Sequence, residues 1–148
     1  MNKLLEKQLD EIRIHLSDDI KNTNLILPIS NKEIKDCLIE QVNLQSEWED
    51  IVSFISSVYH RAEFEAEIIF SEKYNFVNKN ANAILTTSEL RHEANADIDY
   101  CNAKKLQNKA YGLKKRADGM LKTIETRKYV LKDMAGLIIN WTEGYILK

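Results

Sequence analysis

AKKLQNKAYGLKKRADGMLKTIETRKYVLKDMAGLIINWTEGY, residues 103–145, decides the fold class. Taken in alternating steps of three and four, it gives Ala103, Leu106, Ala110, Leu113, Ala117, Met120, Ile124, Arg127, Leu131, Met134, Ile138, Trp141 and Tyr145. Only Arg127 interrupts the apolar run. A seam in heptad phase keeps one side of a helix against a partner. The early a positions are Ala103, Ala110 and Ala117, small enough for backbones to approach closely. Self-association is the expectation, through Leu113, Ala117, Met120, Ile124, Leu131, Met134, Ile138 and Trp141. The flanks are basic, with ten Lys or Arg between Lys104 and Lys132 against Asp118 and Glu125.

Outward from this stretch, a length of 148 residues is enough for a single domain with one core. Apolar residues make up 44% and charged residues 30%, which excludes a disordered chain. No apolar run approaches the roughly 20 residues that span a bilayer. The opening MNKLLEKQLDEIRIHL is too charged for an export signal, so a cytoplasmic location is expected, with no membrane partner. Cys37 and Cys101 are isolated among helical residues and read as two buried thiols. The net charge of −2 conceals a segregation, because the basic stretch leaves the remainder strongly acidic. Either the basic helix is a localised interaction surface, or it neutralises acidic helices of the same molecule. The residues leave both open.

Residues 1–21 place Leu5, Leu9, Ile12, Leu16 and Ile20 on one face of an amphipathic helix. Asn22 to Ile29, with Leu25 to Leu27 as buried anchors and the single Pro28, reads as an extended linker. Ser30 and Glu33 form a capping-box signal, stapled by Ile29 and Ile34, which starts a helix over 31–77. Its expected core face includes Ile34, Leu38, Val42, Trp48, Ile55, Val58, Ala62 and Ala66. Its second half is acidic at Glu63, Glu65, Glu67 and Glu72. After the polar break at 78–83, Thr86 and Glu89 form a second capping box, which starts a helix over 87–145, with Gly112 and Gly119 marking where it could kink. The expected fold is all-α: a long antiparallel helical hairpin with a short N-terminal helix and a C-terminal coiled-coil-like oligomerisation helix, one domain over 1–148.

Catalytic signals are sparse. Glu89 with His92 gives one ExxH and His60 with Glu63 a reversed HxxE, whereas a carboxylate-bridged metal site needs two ExxH copies and further carboxylates. No phosphate loop, nucleophile elbow or CxxC pair occurs. No catalytic residue, metal or cofactor is assigned, and the chain is expected not to be an enzyme. Arg127, charged at a d position, either pairs with a carboxylate and fixes register or lies beside a polar path for an anion. Lys104, Asn108, Tyr111, Lys115 and Lys122 run along the face opposite the seam. Cations interleaved with an aromatic ring suit single-stranded nucleic acid, and a solvated helix face has the same composition.

The text GMLKTIETRKYVLK, residues 119–132, resembles the C-terminal motif of phage recombination mediators of the UvsY family. The matching positions are Gly119, Leu121, Ile124, Arg127, Tyr129, Leu131 and Lys132, with TyrGly at 111–112, the Asp97 to Asp99 region and GluGly at 143–144 in similar places. Similarity covers about the last 60 residues. Within the mid-chain segment AEIIFSEKYNFV, Lys73 and Tyr74 match that family's basic and aromatic element, while Glu63, Glu65, Glu67 and Glu72 stand where it has cations. The resemblance implies a homo-oligomer that binds single-stranded DNA and helps a RecA-like recombinase displace single-strand-binding protein. DNA-contacting positions would be Lys73, Tyr74, Lys104, Lys105, Lys109, Tyr111, Lys114, Lys115, Arg116, Lys122, Arg127, Lys128 and Lys132. The alternative is a structural or adaptor helical protein whose basic helix docks on an acidic helix.

Overall fold

The computed structural model describes the backbone of residues 2–146 and the side chains of residues 3–139. Among these residues there are four helices and no strand: α1 (Asn2–Ile26), α2 (Ile34–Asn80), α3 (Thr87–Ala96) and α4 (Ile98–Ile146). None is long and apolar enough to cross a membrane. The chain divides into two compact units, Met1–Ile14 with Phe54–Lys114, and His15–Ser53 with Lys115–Lys148. Because α1, α2 and α4 supply both units, each unit is built from chain segments distant in sequence.

In the first unit, Leu5, Leu9 and Ile12 of α1 are buried with Ile55, Val58, Ala62 and Ala66 of α2 and Ala103, Leu106, Ala110 and Leu113 of α4. Ring contacts show that α2 and α4 run antiparallel here: Tyr59 lies 5.7 Å from Tyr111, and Phe70 lies 5.3 Å from Tyr100. The capping box of α3 forms as its sequence predicts. The Thr86 amide donates to Glu89 Oε2 at 2.7 Å, and the Glu89 amide donates to Thr86 Oγ1 at 3.3 Å, satisfying two donors at a helix start. α3 buries only Leu90 and Ala94.

A continuous helix over 87–145 does not occur. The chain leaves helical geometry at Asp97, with φ −62° and ψ 134°. The Asp97 carboxylate accepts from the amides of Asp99 and Tyr100 at 2.9 and 3.1 Å, capping α4. α4 continues through Gly112 and Gly119, and neither glycine has a neighbour within 4 Å of where a Cβ would lie. A glycine on an open face costs propensity without forcing a bend.

In the second unit, Leu16 and Thr23 of α1, Cys37, Gln41, Leu44 and Trp48 of α2, and Ala117, Met120, Ile124, Arg127 and Leu131 of α4 are buried. Trp48 is fully enclosed, and its indole N–H donates to Thr23 Oγ1 at 2.9 Å, so the polar edge of the largest core side chain is satisfied. The residues read as a linker are partly helical. α1 runs to Ile26, and Leu25 is exposed rather than an anchor. The Ser30 capping box does not form, and α2 starts at Ile34, three residues after the position the box predicts. Asn31 instead takes a left-handed conformation at φ 65°, which asparagine tolerates. This turn brings Lys32 Nζ to the Ile26 carbonyl at 2.7 Å, where it caps the end of α1. The core face of α2 also differs from the one expected: Cys37, Gln41 and Leu44 face inward, and Leu38 and Val42 are exposed.

Candidate functional site

The seam of α4 is consumed by the chain itself. Ala103, Leu106, Ala110 and Leu113 lie in the core of the first unit, and Ala117, Met120, Ile124, Arg127 and Leu131 in that of the second. This corrects the reading of Leu113, Ala117, Met120, Ile124 and Leu131 as oligomerisation contacts. A heptad seam states that a partner exists, and here α1 and α2 of the same chain are that partner. Met134 is half-buried and Ile138 exposed, among the exposed residues Leu137 and Ile139. The Trp141 side chain lies outside the described residues.

The resemblance places Arg127 among the DNA-contacting cations, but it is only 6% exposed. Its Nε donates to the Leu27 carbonyl at 3.0 Å, Nη1 to Gln41 Oε1 at 3.2 Å, and Nη2 to Glu40 Oε2 at 3.3 Å. Gln41 in turn donates through Nε2 to the Ile124 carbonyl at 2.7 Å, and Lys32 reaches the same Glu40 oxygen at 3.1 Å. The result is a satisfied polar cluster tying the end of α1 to α2 and α4. Among the described residues, no buried side-chain nitrogen or oxygen lacks a partner. Of the two roles read for Arg127, pairing with a carboxylate is the one observed.

Several other cations of the first unit are also engaged within the chain. Lys109 meets Asp10 at 2.8 Å, and this contact holds the Asp10 carboxyl below its ordinary pKa. Lys73 bridges Asp99 at 3.1 Å and Asp97 at 3.5 Å, which raises its own pKa, the hydrogen bond to Asp99 being the largest cause. Partial desolvation pushes the Asp97 carboxyl upward, but the Tyr100 and Asp99 amides and Lys73 outweigh it and hold it below the ordinary value. Lys73 is therefore a clamp on the α3–α4 junction. Its neighbour Tyr74 is half-buried, its ring 6.2 Å from Phe70. Lys104 donates to Gln107 at 2.9 Å, and Tyr111 packs on Tyr59. Lys105 is exposed and Lys114 half-exposed.

In the second unit, Arg116 donates to Ser17 at 3.3 Å, while Lys115, Lys122, Lys128 and Lys132 are exposed. Tyr129 is 66% exposed, its ring available beside Lys128 and Lys132. The motif at 119–132 thus divides by depth: Ile124, Arg127 and Leu131 recur at core spacing, whereas Gly119, Tyr129 and Lys132 lie outside. The ExxH pair is likewise divided, since Glu89 serves the α3 cap, which holds its carboxyl below the ordinary pKa. His60 lies 3.4 Å from Glu63. No group of three or more metal-binding side chains occurs among the described residues.

Sequence reasoning missed Asp97, Glu40 and Gln41. Asp97 carries a legible signal, a short acceptor two and three residues before the amides that it caps. Glu40 and Gln41 carry none, because their roles depend on Arg127, more than eighty residues away. No protein-family model, curated protein or solved structure matches this chain.

Proposed function

We propose that this chain is a non-enzymatic helical adaptor, a rigid scaffold whose basic helix is docked on its own acidic helices and whose exposed helix faces receive partners. The observation that carries this reading is the burial of Arg127 among Leu27, Glu40 and Gln41, which commits the middle of α4 to the chain's own core. Lys109 with Asp10, and Lys73 with Asp97 and Asp99, support it, because these cations already have carboxylate partners. The exposed Leu137, Ile138 and Ile139 offer the adaptor a place for self-association.

A recombination mediator remains the second reading, favoured by the exposed Tyr129 ring beside Lys128 and Lys132, with Lys122 two turns earlier on the same helix. On that reading the chain is a homo-oligomer that binds single-stranded DNA and assists a RecA-like recombinase against single-strand-binding protein. Avidity would come from several weak cationic sites held together. Light scattering and anisotropy with a labelled single-stranded oligonucleotide at about 50 mM salt separate the two, since phosphate contacts are strongest at low salt. The adaptor reading expects no binding and an unchanged mass. Saturable binding that Tyr129→Ala and Lys132→Ala weaken would overturn it in favour of the mediator.

A further inference from the structure

α3 is held to the rest of the first unit by little. Of its ten residues only Leu90 and Ala94 are buried, and a helix this short is marginal without packing. The chain leaves helical geometry on both sides of it, at residues 81–86, where Ile84 is fully exposed, and at Asp97. Among the described residues its side chains form one polar pairing, the Glu89 cap with Thr86, which serves its own start. α4 adds a weak donor, Cys101 Sγ to the Asn95 carbonyl at 3.3 Å. Clefts open at both of its ends. One of about 530 Å³ is lined by Asn95 with Phe70 and Ser71 of α2 and Tyr100 of α4, and one of about 580 Å³ by Glu89 and Glu93 with Phe76 and Val77. α3 therefore lies antiparallel along the last turns of α2 with open space at either end.

We infer that α3 is a strap over α2, which opens and recloses as a unit while α2 and α4 stay folded, and that Lys73 sets how often it opens. Lys73 joins α2 to the C-terminal end of the strap through Asp97 at 3.5 Å and Asp99 at 3.1 Å. All three side chains are partly exposed, so salt weakens the pairing and releases the strap. Opening joins the two clefts into one groove along α2 from Ala66 to Asn80, about 21 Å at 1.5 Å per residue. In the closed state α3 is the occupant of that groove. Elements that gate access to a surface are drawn from those with few buried contacts, as α3 is. The strap operates whether the chain is an adaptor or a mediator.

Hydrogen exchange on the full chain, read residue by residue, tests this. The amides of Arg91 to Ala96 should share one opening constant and exchange at least about a hundredfold faster than those of Ile55 and Val58, which open only with the whole unit. Between about 20 and 500 mM salt they should speed up about threefold relative to Ile55, the loss expected of a screened surface pair. Lys73→Gln should open the strap to the same extent at low salt and remove the salt response. Asp99→Asn, which takes the nearer carboxylate from an exposed side chain, should do so in part. Leu90→Ala should remove most of the remaining protection of Arg91 to Ala96 and leave that of Ile55 unchanged. Circular dichroism checks that the variants stay folded. Protection of Arg91 to Ala96 equal to that of Ile55 overturns the inference, because α3 would then open only with the unit. A gradient of protection from Arg91 to Ala96 overturns it in favour of fraying from one end. So does a salt response that Lys73→Gln leaves intact, which would give control of the strap to other charges.

Discussion

Arg127 occupies a core position where every other seam residue from Ala103 to Leu131 is apolar, and its guanidinium is held by three acceptors of different kinds. Removing it leaves the Leu27 carbonyl and the Gln41 amide oxygen without a donor and Glu40 with Lys32 alone. Breaking a buried pair from one side costs about 3–5 kcal/mol, and the partial exposure of Glu40 lowers this. Arg127→Leu is therefore expected to lose roughly 2–4 kcal/mol in urea unfolding. Arg127→Lys should fall between it and the parent, keeping the charge and losing the fork. An Arg127→Leu midpoint equal to the parent's would mean that the cluster contributes nothing. That a lone charge in the seam would pair was legible from the heptad; that the pair would be Glu40 was not, because Glu40 lies 87 residues away in sequence.

At the level of elements, caps decided where helices begin. Thr86 with Glu89 behaves as its spacing predicts, and Ser30 with Glu33 has the same spacing and fails. At the second site Asn31 takes a left-handed conformation and the Lys32 ammonium donates to the open carbonyl of Ile26. Asp97 does for α4 what Thr86 does for α3, so Asp97→Ala should cost about 1 kcal/mol and fray the first turn of α4, read as faster amide exchange at Asp99 and Tyr100. Along α4 the seam changes character near Met134. Met120→Asp places an unpaired charge in the core and should unfold the second unit or destabilise it by about 3–5 kcal/mol. Ile138→Asp should leave thermal stability within about 0.5 kcal/mol and alter only the mass measured by light scattering. Equal losses of stability from both would contradict the burial pattern.

For the molecule taken whole, helical class and the α4 seam were readable because heptad periodicity survives glycine, charge and a single arginine. What covers the seam was not readable, since Ala110 or Ile124 has the same local pattern whether its neighbour belongs to the same chain or to another. The acidity of the rest of the chain was the available clue: Asp10 and Glu40 turn out to be where the basic helix discharges. That neutralisation has a pH signature. Asp10, Glu89 and Asp97 have carboxyls held below their ordinary values, so their contributions are complete above the unfolded pKa of about 4 and vanish as pH falls through the lower folded values. Lys73 is shifted the other way, and its contribution is complete below about pH 10 and lost as pH rises through its raised value. Thermal unfolding from pH 7 down to about 2.5 should therefore show a stability plateau that falls away below about 4. Asp97→Asn, which keeps a capping oxygen but removes the charge facing Lys73, should start lower and fall less steeply. Parallel curves for parent and variant would show that Asp97 is not among the groups that acid unfastens.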